Sequence, residues 1–248
     1  MIGATPYSDA VKAYLMQNFY VNSNLLSYLE YDKAAKIYVF GNNMDDGIII
    51  CNAEHDTIYI NTRNKEFINR VFDQLPKGRI SLPAVPQDIV DILLRDKNVV
   101  YNNPCLTFAY KYHVMPQFKY DYVTEPLLLS DAAEVNEWYT YKSEESLAAI
   151  QESIATRESS CIKLDGKLAS WCLVHAEDNS IGPLFTKSEY LRRGMGKAVA
   201  ADLIEKLLAA KILPLAHIVK TNVNAISLFE NLGFEKTHDC AWLGIENL

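Results

Sequence analysis

Hydrophobic positions change their spacing several times along the chain, and those changes mark out its elements. Val11, Tyr14, Leu15 and Phe19, then Leu25, Leu26 and Leu29, recur every three or four residues, which predicts helix near the start. The period then shortens to runs of strand type: IYVF (37–40), GIIIC (47–51) and TIYI (57–60), separated by GNNMDD and NAEHD. Those separators carry the Gly, Asn and Asp that tight turns favour, so the pattern predicts a three-stranded meander. A helix over 65–74 and a short RISL strand follow. Pro86, well suited to a first turn, opens another helical pattern through Ile89, Ile92 and Leu93.

Between Met115 and Pro126 the chain turns polar and aromatic and holds two prolines, so the expected division is 1–122 and 123–248. The second part restarts with helix signals: Ser130 before Ala132, Val135 and Trp138, then Ser143 as a cap before Leu147, Ile150 and Ile154. Strands are expected at 160–164, 168–176 and 181–186, with DGK in one turn and AEDNS in the other. No internal repeat or low-complexity tract stands out.

Composition narrows the class. With 248 residues, 49% of them hydrophobic and 22% charged, the chain can bury a core as one large domain or two small ones. A net charge of −7 disfavours a broad grip on nucleic acid or anionic membrane, which needs clustered Lys and Arg. The first residues lack the basic and apolar blocks of a signal peptide, and no apolar run approaches the ~18 residues of a membrane span. Five scattered cysteines without a C-x-x-C predict buried thiols in a reducing cytoplasm. The histidines at 55, 113, 175, 217 and 238 form no His-x-x-x-His pair, and no Gly-x-Ser-x-Gly elbow occurs, so no metal is expected. A Ser-His-Asp set assembled from distant positions stays open. Phe108, Tyr110, Tyr112, Phe118, Tyr120 and Tyr122 alternate at period two; without a basic surround they read as packing between the halves rather than as a base-stacking surface.

The most informative segment is EYLRRGMGKAVAADLIEKLLAA, from Glu189 to Ala210. A strand ending near Thr186 feeds a turn with Gly194 and Gly196, which opens an amphipathic helix. Met195, Val199, Leu203 and Leu207 form one apolar row beside Ala200, Ile204 and Leu208, and Asp202 stands four residues before Lys206. Such a turn is an anion cradle. Glycines let phosphate oxygens approach amides at the positive end of the helix dipole, and Arg192, Arg193 and Lys197 add charge. Leu191 and Ala198 break the P-loop pattern, and Val199 breaks the dinucleotide fingerprint. A helix start that binds nothing remains the plain alternative.

A strand near 213–219 comes next, followed by Asn222-Val-Asn-Ala225-Ile-Ser-Leu228-Phe229-Glu230-Asn-Leu-Gly233-Phe234. The glycine turn and this second motif lie about 28 residues apart, the spacing one helix and one strand produce. Together they resemble the GNAT superfamily of acyl-CoA-dependent N-acyltransferases, over roughly 127–248. Val135-Asn136-x-Trp138, Ser170-Trp171-Cys172, Glu189-Tyr190 and His217 are most similar to its glycine N-acyltransferase and FR47-like branch. The resemblance implies an α+β fold with a GNAT-like mixed sheet flanked by helices. It further implies two GNAT-like halves, the first degenerate and the second binding acetyl-CoA or another acyl-CoA.

Carried over by that resemblance, backbone amides from Arg192 through Arg193, Gly194, Met195 and Gly196 to Lys197 hold the pyrophosphate. Phe185 and Thr186 offer a strand edge to the pantetheine arm and an amide to the developing oxyanion. Asn222 lies beside the cofactor or is simply a helix cap. The chain departs from the family at three places. Leu191 stands where Arg or Gln is usual, Phe229 where a proton-donating Tyr is common, and Ser180 where relatives place a carboxylate base. His217 is the leading replacement base, with Glu177 or Asp178 acting through water as another route and Tyr190 as a possible proton donor. Ser180 stays among the candidate catalytic positions, and His175 reads as packing. The implied activity is transfer of an acyl group, acetyl foremost, to a primary amine of a small molecule. The rivals are a non-catalytic acyl-CoA-binding scaffold and a protein N-terminal or lysine acetyltransferase.

Overall fold

A computed structural model describes residues 2–41, 44–112, 114 and 120–248. His113, Phe118 and the Asn42-Asn43 part of the first turn lie outside them. In chain order the elements are β1 (Ile2–Thr5), α1 (Asp9–Met16), α2 (Phe19–Tyr31), β2 (Lys36–Phe40), β3 (Ile48–Cys51), β4 (Ile58–Asn61), α3 (Lys65–Phe72), β5 (Gly78–Pro86), α4 (Gln87–Asp96) and β6 (Val99–Ala109). They continue with α5 (Ala132–Glu137), α6 (Ser146–Thr156), β7 (Ser159–Leu164), β8 (Lys167–Val174), β9 (Ile181–Thr186), α7 (Met195–Ala209), β10 (Leu215–Val219), α8 (Val223–Asn231) and β11 (Glu235–Asn247). Two compact units result: Met1–Thr107 with His217–Val223 and Lys236–Leu248, and Phe108–Ala216 with Asn224–Glu235.

In the first unit the predicted meander forms, and a fourth strand joins it. Strand β1, in a stretch with no strand signal, pairs antiparallel with β2 and completes the order β1-β2-β3-β4. The period-two pattern explains why β3 is buried throughout. Ile49 and Cys51 join Ile58 and Ile60 in a core with Phe67, Ile68, Val71 and Phe72 of α3, whereas Ile48 and Ile50 join Val11, Leu25 and Leu29 of α1 and α2. Each face of the sheet is therefore covered by helices. At Gly47 the backbone takes φ +94°, and an added Cβ would lie 2.0 Å from the carbonyl oxygen of Asn61. Strand β5 runs over nine residues rather than four and pairs antiparallel with β11 in the sheet β10-β6-β11-β5.

In the second unit β7, β8 and β9 form an antiparallel sheet, and α7 packs on β7 and β8. Val199, Leu203 and Leu207 are buried as their spacing requires, while Asp202 and Lys206 pair at 2.8 Å. Trp171, Leu168 and Leu173 of β8 meet Val135 and Ile150 of α5 and α6. Ser143 is not the cap of α6: the helix begins at Ser146, whose Oγ accepts the Ser143 amide. Tyr110 of the aromatic run packs against Phe234 with ring centroids 5.5 Å apart.

One connection occurs twice along the chain. In the first, β4 leads through α3 to β5, with a single parallel bridge between Thr57 and Ser81. In the second, β9 leads through α7 to β10, with a single parallel bridge between Ser180 and Leu215. All five cysteines are unpaired and buried. Burial pushes their thiols up, to about 12 at Cys51, Cys161 and Cys240, about 11 at Cys105, and higher still at Cys172.

Candidate active site

Strand β9 supplies the first wall of the site. One edge pairs with β8, Trp171 opposite Phe185 and Ser170 opposite Thr186. Its other edge meets only the Ser180–Leu215 bridge among the described residues. A strand edge of this kind offers its remaining N–H and C=O groups to an extended ligand. Phe185 is anchored by aromatic neighbours, with ring centroids 5.0 Å from Trp171 and 5.5 Å from Trp138.

Side-chain hydroxyls fix the end of this strand. Ser170 Oγ donates to the carbonyl of Phe185 at 3.0 Å, and having only one proton it must accept from Thr186 Oγ1 at 2.7 Å. That aims Thr186 at the helix start: a Cβ on Gly196 would lie 3.0 Å from its Oγ1. A 3₁₀ turn, Ser188–Tyr190, then carries the chain to Leu191. Arg192 and Gly194 both take left-handed backbone, φ 63° and 83°, which bends the loop so that α7 starts immediately after Gly194. Tyr122 donates its hydroxyl to the Arg193 carbonyl at 2.8 Å, and the Arg193 guanidinium lies 5.7 Å from the Tyr190 ring.

The first bond of α7 runs from the Ala198 amide to the Gly194 carbonyl, so Met195, Gly196 and Lys197 present their amides ahead of the ladder. Gly194 provides no side-chain cap. The corresponding helix of the first unit differs. At α3 the N-cap is Asn64, whose side chain accepts the Phe67 amide at 3.1 Å, and Asp46 accepts from Asn64 at 3.0 Å. One helix start is closed by its own side chains; the other is uncapped, glycine-lined and flanked by exposed Arg192 and Arg193. The second fits a phosphate group in shape and in charge.

The candidates for proton transfer fall in different places. Ser180 is buried, and both its amide and its hydroxyl donate to Asp178 Oδ1, at 2.9 and 2.7 Å. Asp178 is itself only 4% exposed, whereas Glu177 beside it is exposed. His175 lines a cavity of about 30 Å³ with Tyr139, Ser146 and Ser153, room for a water or two but not for a substrate. Burial lowers the His175 pKa against the pull of Asp178. His217 and Asn222 belong to the first unit. His217 Nδ1 lies 3.0 Å from Thr107 Oγ1, and the exposed Asn222 donates its amide to Val219 just ahead of α8. Thr107 and His238, which joins the same hydroxyl, carry no pattern in the sequence that would have singled them out. Phe229 is buried against Phe234. Among the described residues no group of three or more His, Cys, Asp or Glu could hold a metal ion.

The sheet layers, the paired strand-helix-strand connections and the uncapped glycine turn define a tandem GNAT-like fold. A structure of a Drosophila protein superposes with a TM-score of 0.79 over 98% of each chain, at 17% identity. A tandem GNAT protein from the clavulanic acid biosynthesis pathway matches over 100% of this chain and 98% of its own, with a TM-score of 0.57 and 12% identity. An acetyltransferase of the GNAT family from Colwellia psychrerythraea matches over 99% of each, with a TM-score of 0.56 and 13% identity. No curated protein sequence matches the chain. Residues 160–243, which include the turn, α7 and the second motif, match the family described as FR47-like protein. Residues 160–243 thus resemble the FR47-like family, and the chain as a whole shares the tandem GNAT-like fold.

Proposed function

We propose that the protein is an acyl-CoA-dependent N-acyltransferase that moves an acyl group, with acetyl as the leading candidate, to a primary amine of a small molecule. The observation that carries this reading is the contrast between the two helix starts, one self-capped and one open beside a strand edge that, among the described residues, meets only the Ser180–Leu215 bridge. The diphosphate of coenzyme A would be held by the amides of Met195, Gly196 and Lys197, with Arg192 and Arg193 adding charge. The edge of β9 at Phe185 and Thr186 would take the pantetheine arm by main-chain hydrogen bonds. When bound, the co-substrate supplies an acyl group activated as a thioester, open to direct attack by an amine.

An amine arrives protonated at neutral pH, so the chain must take a proton from it. Ser180 gives its own proton to Asp178 and is a poor base, and Phe229 has none to give. His217, two residues beyond Leu215 in β10, is the residue proposed to accept that proton.

Thermal unfolding with acetyl-CoA, longer acyl-CoAs and free coenzyme A, against ATP and NAD, tests the proposal. A ligand at ~100 times its dissociation constant adds about 2.7 kcal/mol to the folded state, readily seen as a higher midpoint. A shift confined to coenzyme A species is expected. No shift at millimolar ligand would remove both the enzyme and the acyl-CoA-binding scaffold readings. A shift without thiol release for any amine would favour the scaffold.

A further inference from the structure

Three side chains in the first unit converge on one buried hydroxyl. Thr107 is fully buried, and its Oγ1 lies 3.0 Å from His217 Nδ1, 3.3 Å from His238 Nε2 and 3.2 Å from Cys240 Sγ. Beyond His238 stands Thr237, with Oγ1 3.0 Å from His238 Nδ1 and 3.1 Å from the carbonyl oxygen of Thr107. The protons in such a cluster are not arbitrary, because each hydroxyl has only one to give.

The assignment starts at the carbonyl, which can only accept. Thr237 must donate to it, so its oxygen accepts from His238, which places the His238 proton on Nδ1. The second nitrogen of a neutral His238 then carries a lone pair toward Thr107. Neutrality fits its surroundings, since burial first and then His217 push its pKa down to about 4. Of the three neighbours of the Thr107 hydroxyl, only His238 Nε2 then has no proton to offer, whereas His217 Nδ1 and the Cys240 thiol can each donate. The arrangement that leaves no two lone pairs facing each other has Thr107 donating to His238 Nε2. Having spent its proton there, Thr107 Oγ1 accepts from His217, which must carry its proton on Nδ1. The Cys240 thiol, held protonated by burial, is consistent with a donor to the same oxygen.

We infer that Thr107, His238 and Thr237 form a directional hydrogen-bond chain that fixes the tautomer of His217, leaving its Nε2 as the basic nitrogen. These are positioning residues. Their catalytic meaning rests on the reading of His217 as base: the N–H bond of the substrate ammonium breaks, an Nε2–H bond forms, and the positive charge passes to the imidazole. Throughout that step Nδ1–H keeps its bond to Thr107, so the ring need not turn. The same chain makes a second prediction, because His238 must also hold its proton on Nδ1. Free histidine in water prefers the proton on Nε2, so two rings in the opposite form are diagnostic.

Long-range proton–nitrogen NMR of the nitrogen-15-labelled full chain reads each tautomer directly at neutral pH, with His217→Gln and His238→Gln spectra giving the assignments. Nδ1–H forms at both His217 and His238 are expected. An Nε2–H form at His217 in the wild-type protein overturns the inference without any variant. Thr107→Val should return His217 toward the solution preference, and Thr107→Ser should restore the Nδ1–H form; a His217 signal unmoved by Thr107→Val in a folded protein also overturns it. With an amine acceptor in hand, Thr107→Val should lower kcat/KM about tenfold and Thr107→Ser should rescue it. If the tautomers are as stated but His217→Ala keeps full turnover, the reading of His217 as base fails while the hydrogen-bond chain stands.

Discussion

Replacing Gly196 by Ala tests the phosphate cradle with a single methyl group. Its Cβ would lie 3.0 Å from Thr186 Oγ1, so the hydroxyl must give way by a few tenths of an ångström or break its 2.7 Å bond with Ser170. Losing that bond costs about 1 kcal/mol. Alanine returns up to about 1 kcal/mol through its better helix propensity. The two nearly cancel, so the unfolding midpoint should move by no more than about 4 °C for a domain of this size. Binding should respond differently. The methyl stands where a phosphate oxygen has to approach the Gly196 amide, and losing one charge-assisted hydrogen bond costs about 1.5–3 kcal/mol. That is roughly 10- to 150-fold in the dissociation constant of coenzyme A. Calorimetric titration on the folded variant measures it. A normal midpoint with affinity within about twofold of wild type would refute the assignment of this turn as the phosphate seat.

Four other outcomes are expected. Arg192→Glu with Arg193→Glu should weaken coenzyme A binding at least about tenfold and flatten its dependence on salt, as titrations at two ionic strengths would show. Gly47→Ala, which sets a Cβ 2.0 Å from a backbone oxygen at φ +94°, should cost more than about 3 kcal/mol in urea unfolding. Asp178→Ala should cost about 2–4 kcal/mol by stranding the Ser180 amide and hydroxyl, and Asp178→Asn less. For His238, a folded pKa of about 4 lies below the ordinary 6.5, so folding favours the neutral ring. Its stabilisation is complete above about pH 6.5 and is lost as pH falls toward 4, by up to about 3 kcal/mol. Urea midpoints over that range should drop, and His238→Gln should flatten the slope.

Much of this architecture is legible where residue period and turn chemistry agree. The meander, α3, α4, the β8–β9 hairpin and the amphipathic rows of α7 all follow from spacing. Other strands are hidden by their composition. Strand β6 carries Asn102-Asn103-Pro104, which reads as a turn, and β11 opens with the charged Glu235-Lys236 before its apolar part. Strand β1 is only four residues long and is fixed by pairing with β2 rather than by its own pattern. At the site, the glycine turn announces itself because φ > 0 and close approach select for glycine. Asp178 does not, since an acidic residue in a turn normally faces water and only the donors of Ser180 make its burial tolerable. The Thr107 cluster joins positions 107, 217, 238 and 240, a convergence created by strand pairing alone.

The burial of every cysteine has a practical consequence for enzymology. Disulfide reagents that develop colour react with thiolates, and in this chain all five sulfurs are enclosed and held as S–H. The native protein should therefore be nearly silent toward such a reagent and should yield five equivalents once denatured. Coenzyme A released by turnover can then be followed continuously against a flat baseline, with no cysteine removed. The same reagent, left for hours without substrate, would time the rare openings of the core.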